Sequence, residues 1–160
     1  MKAATVVQIK KELKHRPPEE LLELCLRLAR FKKENKELLT YLLFESENEE
    51  AYIKTLKEEM LVSFQDINTT RFYFIKKSVR KILRETKKHI RYSNKKETEV
   101  ELLLYFCEQL KDFKPSINRN KTLVNLYERQ LLFIEKKIEK LHEDLQYDYT
   151  LELNELSLNA

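Results

Sequence analysis

Hydrophobic residues recur along most of this chain at three- and four-residue spacing, the pattern of amphipathic α-helices. We predict an all-α fold of about six helices, with loops at the polar and proline-containing breaks between them. Residues 149–160 are expected to form a frayed or loosely docked tail. The predicted helices span approximately residues 3–14, 18–31, 33–61, 70–92, 96–113 and 121–147.

Two of these helices carry features that bear on the core. The second opens at Pro17 and Pro18, and its hydrophobic residues cover a wide arc, which predicts a central position in the fold. In the third, the polar run 45–50 either breaks the helix or forms an exposed middle. The sixth is predicted to continue without a break to Tyr147.

The segments 21–32 and 103–114 are similar to each other. They share two leucines, a cysteine, a third leucine and a Phe-Lys ending, without gaps. Any two amphipathic helices can share leucines, so the cysteine and the Phe-Lys ending favour duplication. We therefore predict two related three-helix units, 1–68 and 69–148, that share one core. They would stack as a short α-α superhelix built from a helical repeat, or form a compact helical bundle.

Of the residues of this chain, 42% are hydrophobic and 36% are charged. The chain contains no glycine. A phosphate-binding P-loop, the dinucleotide-binding fingerprint and the nucleophile elbow of α/β-hydrolases all need glycine, so the sequence excludes them. The spacing of Glu139 and His142 is that of di-iron bundles, but such sites also need two further carboxylates that point inward. We expect a protein that is not an enzyme, with no catalytic residues, no metal ligands and no cofactor.

Cys25 and Cys107 lie within apolar helical segments, which predicts two buried, reduced thiols. The first residues lack the apolar region of a signal peptide, and no apolar run reaches the length of a membrane span. We therefore expect a cytoplasmic protein without integral membrane association.

Positive charge is concentrated in one helix. Residues 71–96 contain eleven basic residues and one acid, a net charge of +10, whereas the whole chain carries +4 and the remainder therefore −6. Because residues three and four apart share a helix face, the basic residues predict a continuous stripe opposite the apolar one. We call the following candidate binding residues the basic ridge: Lys77, Arg80, Lys81, Arg84, Lys88 and Arg91.

The basic ridge suggests a scaffold that mediates a protein–protein interaction through an acidic partner. Nucleic acid is the alternative partner, since phosphates bind the same cations, and an anionic membrane surface would have similar chemistry. In a simpler interpretation the ridge is a solvated surface, neutralised by the protein's own carboxylates. Those candidate carboxylates are Glu47, Glu49, Glu50, Glu139, Glu143, Asp144 and Asp148.

Overall fold

The computed structural model describes residues 1–157, which form eight α-helices and no strand. The all-α class is confirmed, but the helix count is eight instead of about six. A π-helical turn, Tyr41–Glu45, follows the third helix, and a 3-10 turn, Ile117–Arg119, precedes the seventh. The helices are α1 (Val6–Leu13), α2 (Pro18–Phe31), α3 (Lys33–Thr40), α4 (Glu49–Gln65), α5 (Phe72–Ser93), α6 (Lys96–Asp112), α7 (Lys121–Ile138) and α8 (Glu143–Glu155).

Local hydrogen bonds explain the additional helices. The third predicted helix breaks before Glu49, where the Asn48 side chain accepts a hydrogen bond from the Ala51 amide and caps α4. The prediction of one continuous helix from 121 to 147 was wrong. The chain turns at residues 139–142, where the Gln146 side chain donates hydrogen bonds to the carbonyls of Glu139 and Leu141.

At the C-terminal end of α5, an asparagine adopts a backbone conformation that is usually taken by glycine. Asn94 follows α5 with a φ of 55°, in the left-handed region, and its amide donates to the Ile90 carbonyl. Asparagine tolerates this conformation better than other residues with a side chain. The turn into α6 therefore forms in a chain without glycine.

The chain divides into two compact units, Met1–Phe44 and Glu45–Ala160. This division differs from the boundary at residue 68 that the internal repeat predicted. The physical reason is that α4 packs against α5 and α6, which places it in the second unit. The first unit contains α1 to α3, with α2 packed on α3.

Helix α6 is the centre of the second unit and packs against α4, α5, α7 and α8. Its side chains are buried around most of its circumference, as expected for a helix surrounded by others. Phe106 is fully buried, and its ring centroid lies 5.6 Å from that of Phe64 on α4. The buried residues of α6 are Thr98, Val100, Leu102, Leu103, Leu104, Phe106, Cys107 and Leu110.

Three glutamates in the first turns of α6 each bind a different helix. Glu97 accepts a hydrogen bond from the Tyr149 hydroxyl of α8, at 3.1 Å. Glu99 pairs with Lys137 of α7 at 3.0 Å, and Glu101 pairs with Lys57 of α4 at 2.7 Å. These contacts set the positions of α4, α7 and α8 around α6.

The first unit is packed very differently. Among the described residues, 27 hydrophobic residues are buried, and Tyr41 is the only one of them in the first unit. The prediction that the second helix is central was wrong, since α2 has no buried residue. The prediction for the cysteines holds for Cys107, which is buried, and fails for Cys25, which is exposed. The short helices of this unit thus leave most of their apolar side chains exposed.

The C-terminal segment is docked as far as the structure describes it. Tyr149 and Leu156 are both buried, and the Tyr127 hydroxyl donates a hydrogen bond to the Leu156 carbonyl. The expected loose tail is therefore a helix packed on α6 and α7 up to residue 155, while residues 158–160 lie outside the described residues. No helix formed by the described residues is long and apolar enough to cross a membrane.

Candidate macromolecule-binding surface on helix α5

Helix α5 is fixed by its apolar stripe. Ile75 and Val79 are fully buried, and Ile82, Leu83 and Ile90 are nearly so. This stripe packs against α4 and α6. At about 100° of rotation per residue, the basic ridge lies on the opposite side of the same helix. The core thus holds the ridge on a rigid helix of 22 residues.

Five of the six ridge residues are exposed. Within residues 1–157, no carboxylate lies within 4.0 Å of the charged groups of these five. Four of them fall within the eight residues 77–84, which span about 10 Å of helix. The exposed ridge residues are Lys77, Arg80, Lys81, Arg84 and Arg91.

Lys88 is the exception in the ridge. Its side chain is only 12% exposed, and its Nζ lies 2.6 Å from a carboxylate oxygen of Glu85. The hydrogen bond from Lys88 lowers the pKa of Glu85, so this carboxylate is charged at neutral pH. The pair is spaced i, i+3 on one helix, a relation that the sequence contained and that the ridge prediction overlooked.

The carboxylates considered as internal partners are largely engaged elsewhere or remain apart. Glu49 accepts hydrogen bonds from Ser93 and Thr98 and pairs with Lys95, which joins the start of α4 to the α5–α6 turn. Asp144 lies 3.4 Å from His142. Among the described residues, Glu139, Glu143 and Asp148 form no ion pair with the ridge.

Lys87, on the flank of α5, belongs to the packing between helices. Its Nζ lies 5.2 Å from the centroid of the Phe133 ring of α7, and Lys137 approaches the same ring at 4.9 Å. Burial lowers the pKa of Lys87. Lys87 therefore packs between helices, whereas the five exposed ridge residues face outward.

Aromatic residues stand at the N-terminal end of the ridge. Tyr73 is 64% exposed, and its ring meets that of Phe74 edge to face, with centroids 5.3 Å apart. Beside the ridge, a groove of about 300 Å³ lies between α4 and α5 and includes Lys81 and Glu85 in its lining. The surface around the ridge thus contains exposed cations, an aromatic end and one acidic flank.

No protein-family model, curated protein or solved structure matches this chain. Among the described residues, no group of three or more His, Cys, Asp or Glu side chains is arranged to hold a metal ion. The chemistry of the basic ridge is therefore the basis for assigning a function.

Proposed function

We propose that this protein is a non-enzymatic interaction protein whose basic ridge binds an acidic protein surface. The observation that carries the proposal is the set of exposed ridge cations without an internal carboxylate. An ordinary surface helix intersperses charges of both signs, which neutralise one another locally. Here the exposed ridge cations have no such neutralising carboxylate among the described residues, so they are available to bind a partner.

The spacing of the cations favours a helical partner. Lys77, Arg80, Lys81 and Arg84 follow one helix face at three- and four-residue intervals. An acidic helix presents carboxylates with the same periodicity, so several charge pairs can form along about 10 Å without bending either element. The basic residues are backed by a buried stripe, which keeps them in register.

A binding experiment with designed peptides tests this proposal. One helical peptide carries glutamates at i, i+3, i+4 and i+7, and a second has the same composition with its glutamates spread around the helix. We expect the first to bind at least roughly tenfold more tightly at low salt, with affinity falling as salt screens the charges. Fluorescence anisotropy of labelled peptides measures both affinities.

A charge-matched pair of variants locates the interaction. The ridge variant combines Lys77→Glu, Arg80→Glu, Lys81→Glu and Arg84→Glu, and should lose roughly tenfold or more in affinity. The control variant reverses four exposed lysines elsewhere and should change affinity by less than about threefold. Equal losses in both variants, or equal binding of both peptides, would contradict the proposal. The control combines Lys114→Glu, Lys121→Glu, Lys136→Glu and Lys140→Glu.

Nucleic acid is the second candidate, because Tyr73 is exposed one turn before Lys77. An aromatic side chain next to a row of cations suits single-stranded nucleic acid, whose bases stack while its phosphates pair. This alternative predicts that single-stranded DNA binds more tightly than either peptide. It also predicts that Tyr73→Ala weakens DNA binding by roughly five- to tenfold and leaves peptide binding unchanged.

A further inference from the structure

The N-terminal unit leaves much apolar surface open. Of the 20 large hydrophobic residues exposed among residues 1–157, 13 lie in this unit of 44 residues. On α2 they include Leu24, Leu28 and Phe31, with exposures of 43%, 60% and 78%. Large contiguous apolar surfaces on helices mark interaction sites.

Helix α2 presents two adjacent stripes. The first is apolar and contains Leu21, Leu24, Leu28 and Phe31, at the spacing of a coiled-coil seam. The second is charged and runs beside it. It begins with acids and ends with bases, in the order Glu20, Glu23, Arg27 and Arg30.

The sequence of α2 is complementary to its own reverse. Counted outward from Cys25, Glu23 mirrors Arg27 and Glu20 mirrors Arg30. Each of the other positions from 21 to 29 mirrors a hydrophobic residue with a hydrophobic residue. Two copies of α2 packed antiparallel about a twofold axis near Cys25 would therefore match acid with base along the charged stripe, while the apolar stripe of one copy lies against that of the other.

The surroundings of α2 leave both stripes accessible. A groove of about 770 Å³ lies between α1 and α2 and is lined by the four charged-stripe residues together with Ile9, Leu13 and Leu24. Glu20 also pairs with Arg16 at 3.2 Å, but both side chains are 52% exposed, and such surface pairs are weak. Glu23, Arg27 and Arg30 form no ion pair with any described residue.

We infer that α2 forms a homodimer by packing antiparallel against α2 of a second copy of this chain. The order of charges along α2 indicates both the partner, which is a second α2, and the antiparallel direction in which it packs. An antiparallel twofold pair places the same flank of both helices side by side, so the acidic end of one lies along the basic end of the other. A parallel twofold pair would instead place the two charged stripes on opposite sides of the interface, where their acids and bases could not pair.

Cysteine cross-linking tests the proximity of the two helices. In the intact protein under mild oxidant, we expect a disulfide between Cys25 and the same cysteine of the second copy, seen as a covalent dimer on non-reducing gels. The dimer should disappear in Cys25→Ser and persist in Cys107→Ser, because Cys107 is buried. Sedimentation of the reduced protein should show a concentration-dependent dimer.

A charge-swap experiment tests the antiparallel direction. One variant combines Glu20→Arg with Glu23→Arg, and the other combines Arg27→Glu with Arg30→Glu. Each alone should dimerise roughly tenfold or more weakly, because like charges then face each other, and mixing them should restore a heterodimer. Circular dichroism checks that both variants keep their helices, and the restored heterodimer shows that neither is misfolded.

Three outcomes would overturn the inference. The first is a wild-type protein that stays monomeric over the whole concentration range. The second is cross-linking that is equal in wild type and in both single-sign variants. The third is a monomer that binds vesicles of anionic lipid and loses that binding in Leu24→Ser with Leu28→Ser, which would assign the apolar stripe to a membrane surface.

Discussion

Helices α2 and α6 share a sequence pattern and have opposite environments. Leu21, Leu22, Cys25 and Leu28 of α2 align with Leu103, Leu104, Cys107 and Leu110 of α6 in the similar segments 21–32 and 103–114. The four residues of α6 are buried against four neighbouring helices, whereas Leu22, Cys25 and Leu28 of α2 are exposed. An apolar stripe thus predicts that a helix packs against a partner. The number of helices around it determines whether that partner lies within the same chain.

The charged residues of the two helices also differ in the ion pairs and hydrogen bonds that they form. In α6, Glu97, Glu99 and Glu101 bind residues of α8, α7 and α4. In α2, Glu23 and Arg27 form no ion pair with any described residue. The glutamates of α6 link helices within their own unit, whereas the charges of α2 are the ones that the inferred homodimer would use.

The largest expected difference between the helices is in thiol reactivity. Burial raises the pKa of Cys107 to about 12, which leaves about a thousandfold less thiolate at neutral pH than an ordinary thiol has. In dilute native protein, we expect one thiol per chain to react with a disulfide reagent, and mass spectrometry to locate it at Cys25. The second should react only in denaturant. Rapid native labelling of Cys107 would contradict the buried position of α6.

Replacing Leu110 and Leu28, which occupy aligned positions of α6 and α2, should lower the free energy of unfolding by different amounts. Leu110 is fully buried, so Leu110→Ala should lower the free energy of unfolding by about 2–5 kcal/mol. Leu28 occupies the same position of the repeat and is 60% exposed, so Leu28→Ala should change it by less than about 1 kcal/mol at concentrations that favour the monomer. Denaturant titrations followed by circular dichroism measure both. Equal losses would mean that α2 is packed as closely as α6.

The smallest effect is expected at the edge of the second unit. Partial desolvation of the largely exposed Glu152 carboxylate on α8 raises its pKa, with Lys57 opposing and Glu101 reinforcing the shift. The folded state then holds the proton more tightly than the unfolded state, so this group's contribution to stability decreases as pH rises through its raised pKa.

The variant Glu152→Gln removes that charge. It should raise the melting temperature slightly at pH 7, by the equivalent of about 0.5 kcal/mol or less because Glu152 is exposed, and should leave it unchanged near pH 3. Glu128→Gln, at an exposed site on α7, is the matched control for the loss of one surface carboxylate. A loss of stability at pH 7 would contradict the predicted sign.

Much of the helical structure could be predicted from the pattern of residues. The bounds of α2 and the start of α6 agree with the prediction, because Pro18 and the polar turn at 93–95 are strong local signals. The break between α7 and α8 was missed because the apolar spacing continues across it. Gln146 and His142 stabilise that turn through hydrogen bonds that periodicity does not reveal.

The candidate binding surface was predicted in part. The placement of Lys77, Arg80, Lys81 and Arg84 on one face follows directly from helical spacing, and these residues are exposed. The local pairing of Lys88 with Glu85 was overlooked. The separation of Lys87 from the ridge depends on Phe133, which lies 46 residues further along the chain on α7.

By itself, the sequence determined the all-α class, most of the helices, and the clustering of positive charge on α5. These properties depend on residues a few positions apart, which helical geometry places together. Only the tertiary structure decided that α6, and not α2, is enclosed, and that the basic ridge has exposed cations without internal carboxylate partners. Both outcomes depend on which distant helices pack together, because burial and ion pairing result from contacts across the fold.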